Sequence, residues 1–338
     1  PSYQEPVSAL EPIRFSITSH RGCYGNCSFC ALAMHQGAII QSRSTESILR
    51  EVDQIASMPG FKGTISDIGG PSVNMYGDWC QRWEGEGTCP DRECTTCSNR
   101  KPGISRYLDL LDAATAIHRV KHVFIGSGLR YDLIPGDRQI MDRICAHVSG
   151  QLKVAPEHIA PDVTRLMNKP DVRVFDGFRD VFEEVQKGRT PQQFLIPYLM
   201  SGHPGCTISD MILLAEYLRD HRLYTEQVQD FTPTPMTAST CMYATGIDPA
   251  TMEPVYIPKG EEKKIQRAIL HWKNPNGYDL IRTGLEQAGR RDLMGERSDC
   301  LISSRRPPVQ SRISGEINKR EKGRGTGFVT SAPRRRNR

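Results

Sequence analysis

Three cysteines fall within eight residues near the start of the chain, Cys23-Tyr-Gly-Asn-Cys27-Ser-Phe-Cys30, and the next cysteine is Cys80. Thiolates are soft ligands that suit zinc and iron–sulfur clusters. A closed structural zinc site needs four ligands, and so does a fully ligated cubane. Three donors on one short loop leave two readings open. In the first, His20 or His35 completes a Cys3His zinc site. In the second, three thiolates hold three irons and the fourth iron keeps a position free for a substrate. The surroundings favour the second, because the trio follows an expected strand rather than sitting on a compact zinc-module hairpin. Gly22 and Gly25 give the loop the backbone freedom to wrap a cluster, and Phe29 is placed to shield it from water.

Around this loop the sequence alternates short β-rich runs with amphipathic, helix-length segments, the pattern of an α/β fold with a mainly parallel sheet. Strands are expected at Ile13–Thr18, Gly63–Ile68, His122–Gly126, Leu152–Ala155, Phe194–Leu199 and Gln227–Phe231. Helices are expected at Thr45–Ser57, Tyr107–His118, Gln139–Val148, Pro161–Met167, Phe175–Lys187 and Ser209–His221. Six strand–helix units fit an open doubly wound sheet or a partial (β/α)6 barrel. Either way, reactive groups gather at the carboxyl ends of the strands. The loops there carry the cysteine trio, Gly69-Gly70-Pro71, Gly126–Arg130, Pro156-Glu157-His158 and Ser201–Gly205.

From about Thr232 the alternation stops. Residues 232–258 read as extended structure or a hairpin, and two helices follow at Glu261–His271 and Tyr278–Ala288, split by the turn Asn274-Pro275-Asn276-Gly277. After Gly295 the composition turns to Arg, Ser, Gly and Pro, which predicts disorder. Of 44 Lys/Arg and 39 Asp/Glu, residues 296–338 hold twelve and four, leaving 32 basic against 35 acidic residues in 1–295. The body thus offers no broad electrostatic case for nucleic acid, and only the tail, with Arg334-Arg335-Arg336, has the charge to touch RNA or another polyanion. No apolar run approaches the roughly 20 residues of a membrane helix. No secretion signal is apparent, so a cytoplasmic location is expected. Eleven cysteines in such a chain read as metal ligands rather than a disulfide framework. Cys145, Cys206, Cys241 and Cys300 lie apart and are expected to be small buried residues.

C-x3-C-x-aromatic-C after the first strand of an α/β chain resembles the signature of the radical S-adenosylmethionine (SAM) enzymes. Residues 10–295 further resemble the YgiQ-like members. The resemblance is carried by Ser19–Cys23, Asp67–Pro71 with Asn74-Met75-Tyr76, Gly126–Asp132, Lys153–His158, Met167–Pro170, Ile196-Pro-Tyr and Gly202–Gly205. It implies a partial (β/α)6 TIM-like barrel of the radical SAM type over 1–231 with a cysteine-rich insertion at 71–103. A C-terminal appendage over 232–295 and a disordered basic tail over 296–338 complete the expected organisation. It implies a [4Fe–4S] cluster on Cys23, Cys27 and Cys30 whose open iron chelates the methionine part of SAM. One electron then breaks the C5′–S bond and gives a 5′-deoxyadenosyl radical that abstracts hydrogen from an unknown substrate. A flavodoxin- or ferredoxin-like electron donor is implied, and so is an upstream N-terminal domain, in keeping with a chain that begins at Pro1.

On this resemblance Gly69 and Gly70 present backbone to the methionine ammonium, although Pro71 stands where many relatives have Glu. Ser127 and Arg130 are expected to reach ribose and carboxylate, since Arg suits bidentate carboxylate recognition. Glu157 is expected to accept from ribose hydroxyls or a substrate. His158 and His203 are expected either to donate protons and bind substrate or to be satisfied by nearby backbone. Cys80, Cys89, Cys94 and Cys97 suit a zinc site, an auxiliary iron–sulfur cluster or buried unliganded thiols, and a metal is favoured because a long loop poor in apolar residues needs something to order it. The competing reading of the whole chain is a zinc- or iron–sulfur-binding structural module without turnover.

Overall fold

A computed structural model describes residues 5, 7–89, 93–134, 136–224 and 226–307. The strands are β1 (Ser16–Thr18), β2 (His20–Arg21), β3 (Gln41–Ser42), β4 (Thr64–Ile65), β5 (Asp67–Gly69), β6 (His122–Val123), β7 (Gln151–Glu157), β8 (Phe194–Ser201) and β9 (Val228–Asp230). The helices are α1 (Leu32–Gln36), α2 (Thr45–Ala56), α3 (Arg82–Gly85), α4 (Ile104–Thr115), α5 (Arg138–Ala146), α6 (Pro161–Met167), α7 (Val172–Gln186), α8 (Ile208–Asp220), α9 (Ala238–Thr245), α10 (Glu261–Leu270) and α11 (Tyr278–Gln287). Short 3-10 turns fill several of the connections.

The parallel pairs form a row in chain order. β1 pairs with β5, β4 with β6, and β7–β8–β9 make a three-stranded sheet. A parallel bridge from Leu129 to Val154 joins the segment after β6 to β7. Among the described residues no pairing links β9 back to β1, so the row is mixed α/β and open. β2 and β3 make a small antiparallel hairpin beside it.

The helices follow from capped amphipathic sequence. The Ser44 side chain accepts from the Ser47 amide, and Ile48, Val52 and Ile55 then fall on one buried face of α2. Asp171 caps α7, whose Phe175, Phe178 and Phe182 are buried. Thr207 and Asp210 close a capping box on α8. One apolar cluster joins β1, β4–β6, α2, α4, α5 and α7, and a second joins α6, β8, α8, α10 and α11.

Two stretches differ from expectation. Residues 232–258 hold an unexpected helix, α9, started by the Thr237 side chain accepting from the Thr240 amide. Beyond it the expected hairpin forms over 246–255, with the Asp248 amide donating to the Glu253 carbonyl at 2.9 Å and the Val255 amide to the Gly246 carbonyl at 2.8 Å about the Ile247–Pro254 bridge. The ordered body also continues past 295: Leu301 and Ile302 are buried in the second cluster, and the Tyr278 hydroxyl donates to the Ser303 carbonyl at 3.1 Å. The remainder of the expected disordered tail, 308–338, lies outside the described residues. No helix among the described residues is long and apolar enough to cross a membrane.

Candidate metallocofactor site

A cavity of about 710 Å3 opens at the carboxyl ends of the strands. Cys23, Cys27 and Cys30 form one wall, Arg130 and Asp132 reach it from the loop after β6, and Asn168 and Lys169 come from the end of α6. Glu93 to Thr96 of the cysteine-rich insertion and residues 236–250 of the appendage supply further lining. Five separate segments of the chain thus converge on one space.

The thiol loop is held at both ends. The Cys23 amide donates to the Gly37 carbonyl at 3.0 Å. The Ser28 hydroxyl donates to the Leu166 carbonyl at 2.6 Å and lies 2.8 Å from the Ser239 hydroxyl of α9. The Asn168 amide donates to the Asn26 carbonyl at 2.8 Å. Burial pushes the Cys23 and Cys30 thiols up. The Gly25 amide and Arg130 oppose this at Cys23, and the Leu32 amide and Lys169 oppose it at Cys30.

The two histidines of the zinc reading stand elsewhere. His20 is buried, with Nδ1 2.9 Å from the Ser19 hydroxyl, and packs so close to Gly70 that a side-chain carbon there would meet its ring at 2.2 Å. His35 is exposed and does not line the cavity. Among the described residues no three His, Cys, Asp or Glu gather about one point as a single metal ion requires. A cubane asks for something else: each thiolate binds its own iron. Three sulfurs facing a common cavity fit that group better than they fit one ion.

Arg130 is almost enclosed. Its Nε and Nη2 donate to the two oxygens of Asp132 at 3.0 and 2.6 Å, and its Nη1 lies 3.4 Å from the Gly25 carbonyl and 3.5 Å from the Cys27 sulfur. Four of the five N–H donors are therefore engaged within the protein, and no bidentate face is left for a ligand carboxylate. Asn74 clamps the same residue through its backbone, accepting from the Arg130 amide at 3.0 Å and donating to its carbonyl at 2.8 Å.

Gly69, Gly70, Ser127 and Glu157 lie outside the cavity lining. The Ser127 hydroxyl is given to Asp67, which also accepts from the Gly126 and Ser127 amides at 2.9 and 3.1 Å. Asp67 is the organising carboxylate of that corner, and in the sequence it stood out only as part of a family segment. Gly69 is needed there because a side-chain carbon would stand 2.0 Å from the Asp67 carboxylate. Glu157 ends β7 in the left-handed region, at φ 67°, where the β7–β8 register shifts. Such strain costs on the order of 1–3 kcal/mol and marks sites where the surroundings dictate conformation. Burial raises its carboxyl, and Lys169 opposes this. Lys169, whose ammonium donates to the Ala155 carbonyl at 2.7 Å and lies 5.9 Å from the Phe29 ring centre, was noted only as part of a family segment.

His158 and His203 are buried and locally satisfied. His158 Nδ1 accepts from the Ala160 amide at 3.0 Å, and Cys206 lies 3.6 Å from Nε2. His203 Nδ1 donates to the Pro204 carbonyl at 2.7 Å, so Nε2 accepts from the Ser239 hydroxyl at 2.7 Å.

The four cysteines of the insertion are not gathered about one point. Cys94 instead packs with Tyr24, Ile40, Met75 and Leu133. The loop is ordered by Asp78, whose side chain is fully buried. Asp78 accepts from the Tyr24 hydroxyl, from the Gly103 amide and from Arg100 at 3.1 Å. A buried carboxylate with three donors orders the loop independently of any metal its cysteines hold.

Residues 226–337 match the model of a domain of unknown function, DUF3362. A UPF0313 protein of Methanosarcina acetivorans is 50% identical over 307 residues, which cover 89% of this chain and 41% of that one. A UPF0313 protein of Methanocella arvoryzae is 51% identical over 317 residues, 92% of this chain and 53% of that one. One from Clostridium perfringens is 48% identical over 303 residues, 88% and 46% of the two chains. The chain is homologous to UPF0313 proteins and spans about half the length of these curated relatives. Among solved structures, it is similar to the radical SAM methyltransferase TsrM of Kitasatospora setae, with cobalamin and a [4Fe–4S] cluster bound. That match has a TM-score of 0.49 at 15% identity and covers 72% of this chain and 43% of that one. Coproporphyrinogen III oxidase (HemN) from Escherichia coli, a radical SAM enzyme, matches with a TM-score of 0.44 at 17% identity, covering 84% and 56%.

Proposed function

We propose that the chain is the catalytic part of a radical SAM enzyme, built on a partial barrel, that binds a [4Fe–4S] cluster through Cys23, Cys27 and Cys30. The observation that carries the reading is the convergence of those three cysteines on one strand-end cavity, with neither histidine completing a fourth position. The cavity volume of about 710 Å3 falls in the range of small-molecule sites and suits a nucleoside-sized ligand beside a cluster. With the cluster bound, one-electron reduction cleaves SAM and yields a 5′-deoxyadenosyl radical for hydrogen abstraction.

The chain's own residues supply position, dryness and charge. Phe29, between Lys169 and His203, covers the inner side of the thiol loop. Lys169 brings a cation beside Cys30 and Glu157, where it complements an anionic group on a ligand. Glu157, fixed by its strained backbone behind the lining, places a carboxyl beside Lys169. A one-electron donor of the flavodoxin or ferredoxin kind and a substrate outside this chain complete the proposal. Anaerobic reconstitution tests it: the protein should turn brown with four irons and four sulfides per chain, and dithionite with SAM should release 5′-deoxyadenosine. Cys27→Ala should abolish both. Colourless protein holding zinc would support the structural module instead.

A further inference from the structure

We propose that Arg130 sets the reduction potential of the cluster by donating an N–H to the sulfur of Cys27. The inference rests on the cluster reading above and deepens it by assigning the residue that tunes the electron-accepting step.

Three features of the molecule point to this. The first is direction. The guanidinium binds Asp132 through Nε and Nη2, on one edge of its fork, and turns Nη1 to the Cys27 sulfur at 3.5 Å and the Gly25 carbonyl at 3.4 Å. The ion pair is therefore a buried dipole whose positive end faces the thiol. The second is preorganisation. Asn74, itself buried, bonds both the amide and the carbonyl of Arg130, so neither backbone nor side chain is free to turn away. The third is the room made for the contact. A side-chain carbon on Gly25 would stand 2.2 Å from Nη1 and 3.4 Å from the Cys23 sulfur. Glycine at this position, within the cysteine motif itself, is what lets the guanidinium reach the sulfurs.

Hydrogen bonds to cysteine sulfur and the local charge are among the levers that set iron–sulfur potentials. Reduction adds one electron to the cluster, taking it from the 2+ to the 1+ state, and the added charge spreads onto the sulfurs. An N–H already pointing at one of them gains strength as that charge arrives, and the enclosed site magnifies the effect. Arg130 therefore favours the reduced state. Asp132, on the far edge, holds the fork in place without standing between it and the sulfur.

The experiment is a redox titration of the reconstituted protein, reading the reduced cluster by electron paramagnetic resonance with dithionite as the one-electron donor. Gly25→Ala pushes Nη1 off the Cys27 sulfur while keeping both charges of the ion pair. Arg130→Met combined with Asp132→Asn removes the pair without leaving a carboxylate buried alone. Both variants should bind iron and sulfide as the wild type does. At a fixed potential each should show roughly a tenfold lower ratio of reduced to oxidised cluster, equivalent to about 59 mV for one electron. Unchanged potentials in loaded variants would overturn the proposal. So would variants that fold by circular dichroism yet hold no cluster, since Arg130 would then only position the loop. Wild-type protein that takes up no cluster would instead remove the reading on which the inference rests.

Discussion

His20, His158 and His203 are buried imidazoles that the fold keeps neutral. Burial lowers His158 to about 3, with His203 nearby adding to the effect, and lowers His20 and His203 to about 4. In the unfolded chain the same groups take up protons near the usual 6.5. Between pH 6.5 and about 4 the unfolded state therefore binds more protons, so stability rises with pH across that window. The contribution is complete above pH 6.5 and is lost as the pH falls towards 4, by up to roughly 2 kcal/mol for each histidine at pH 5. Urea melts at pH 7.5 and pH 5.0 should show the lower midpoint at pH 5.0, and His203→Asn should reduce the difference. A midpoint independent of pH over that range would contradict this account. The sequence left two roles open for His158 and His203, and it could not decide between them because their partners are a neighbouring amide or carbonyl and the distant Ser239. Arg130 was legible as a functional guanidinium, but not its engagement: Asp132 is two residues away, while Gly25 and Asn74 meet it only in the folded chain.

The elements were easier to read than their partners. Capped helices such as α2, α7 and α8 and the six parallel strand positions stand in the sequence through periodicity and cap residues, because those signals are local. The cysteine-rich insertion was only partly legible for the opposite reason. Its order comes from Asp78 meeting Tyr24, 54 residues away, along with Arg100 and Gly103, and no spacing rule announces such a contact. Removing one partner of a buried ion pair is costly, so Asp78→Ala should destabilise the protein by about 3–5 kcal/mol. The loss should begin locally. Limited proteolysis should cut within 79–101 in the variant well before the wild type is touched. Helix α9 was missed because Thr237-Ala-Ser-Thr looks like turn sequence until its cap and its contact with the thiol loop are known.

At the scale of the molecule, the change of composition placed the end of the body at 295, yet apolar burial carries it to Ile302, and the Tyr278 hydroxyl holds the chain to Ser303. Leu301 and Ile302 lie among a basic, polar stretch, so composition averaged over the tail hides them. Each is nearly enclosed in the second apolar cluster. Leu301→Ala should cost about 2–4 kcal/mol, and truncation after Gly295 should lower the melting temperature by several degrees or more. Equal melting behaviour would show that the packing of 296–307 adds nothing.

The hydroxyl contact between Ser28 and Ser239 spans 211 residues of chain. Its consequence concerns the gap in the strand row. Among the described residues no backbone ladder runs from the last parallel strand to the first, and the Ser239 amide, donating to the Ser28 carbonyl at 2.9 Å, fastens helix α9 to the very turn that presents the sulfurs. The segment after the last strand is thereby a wall of the same cavity rather than an independent appendage.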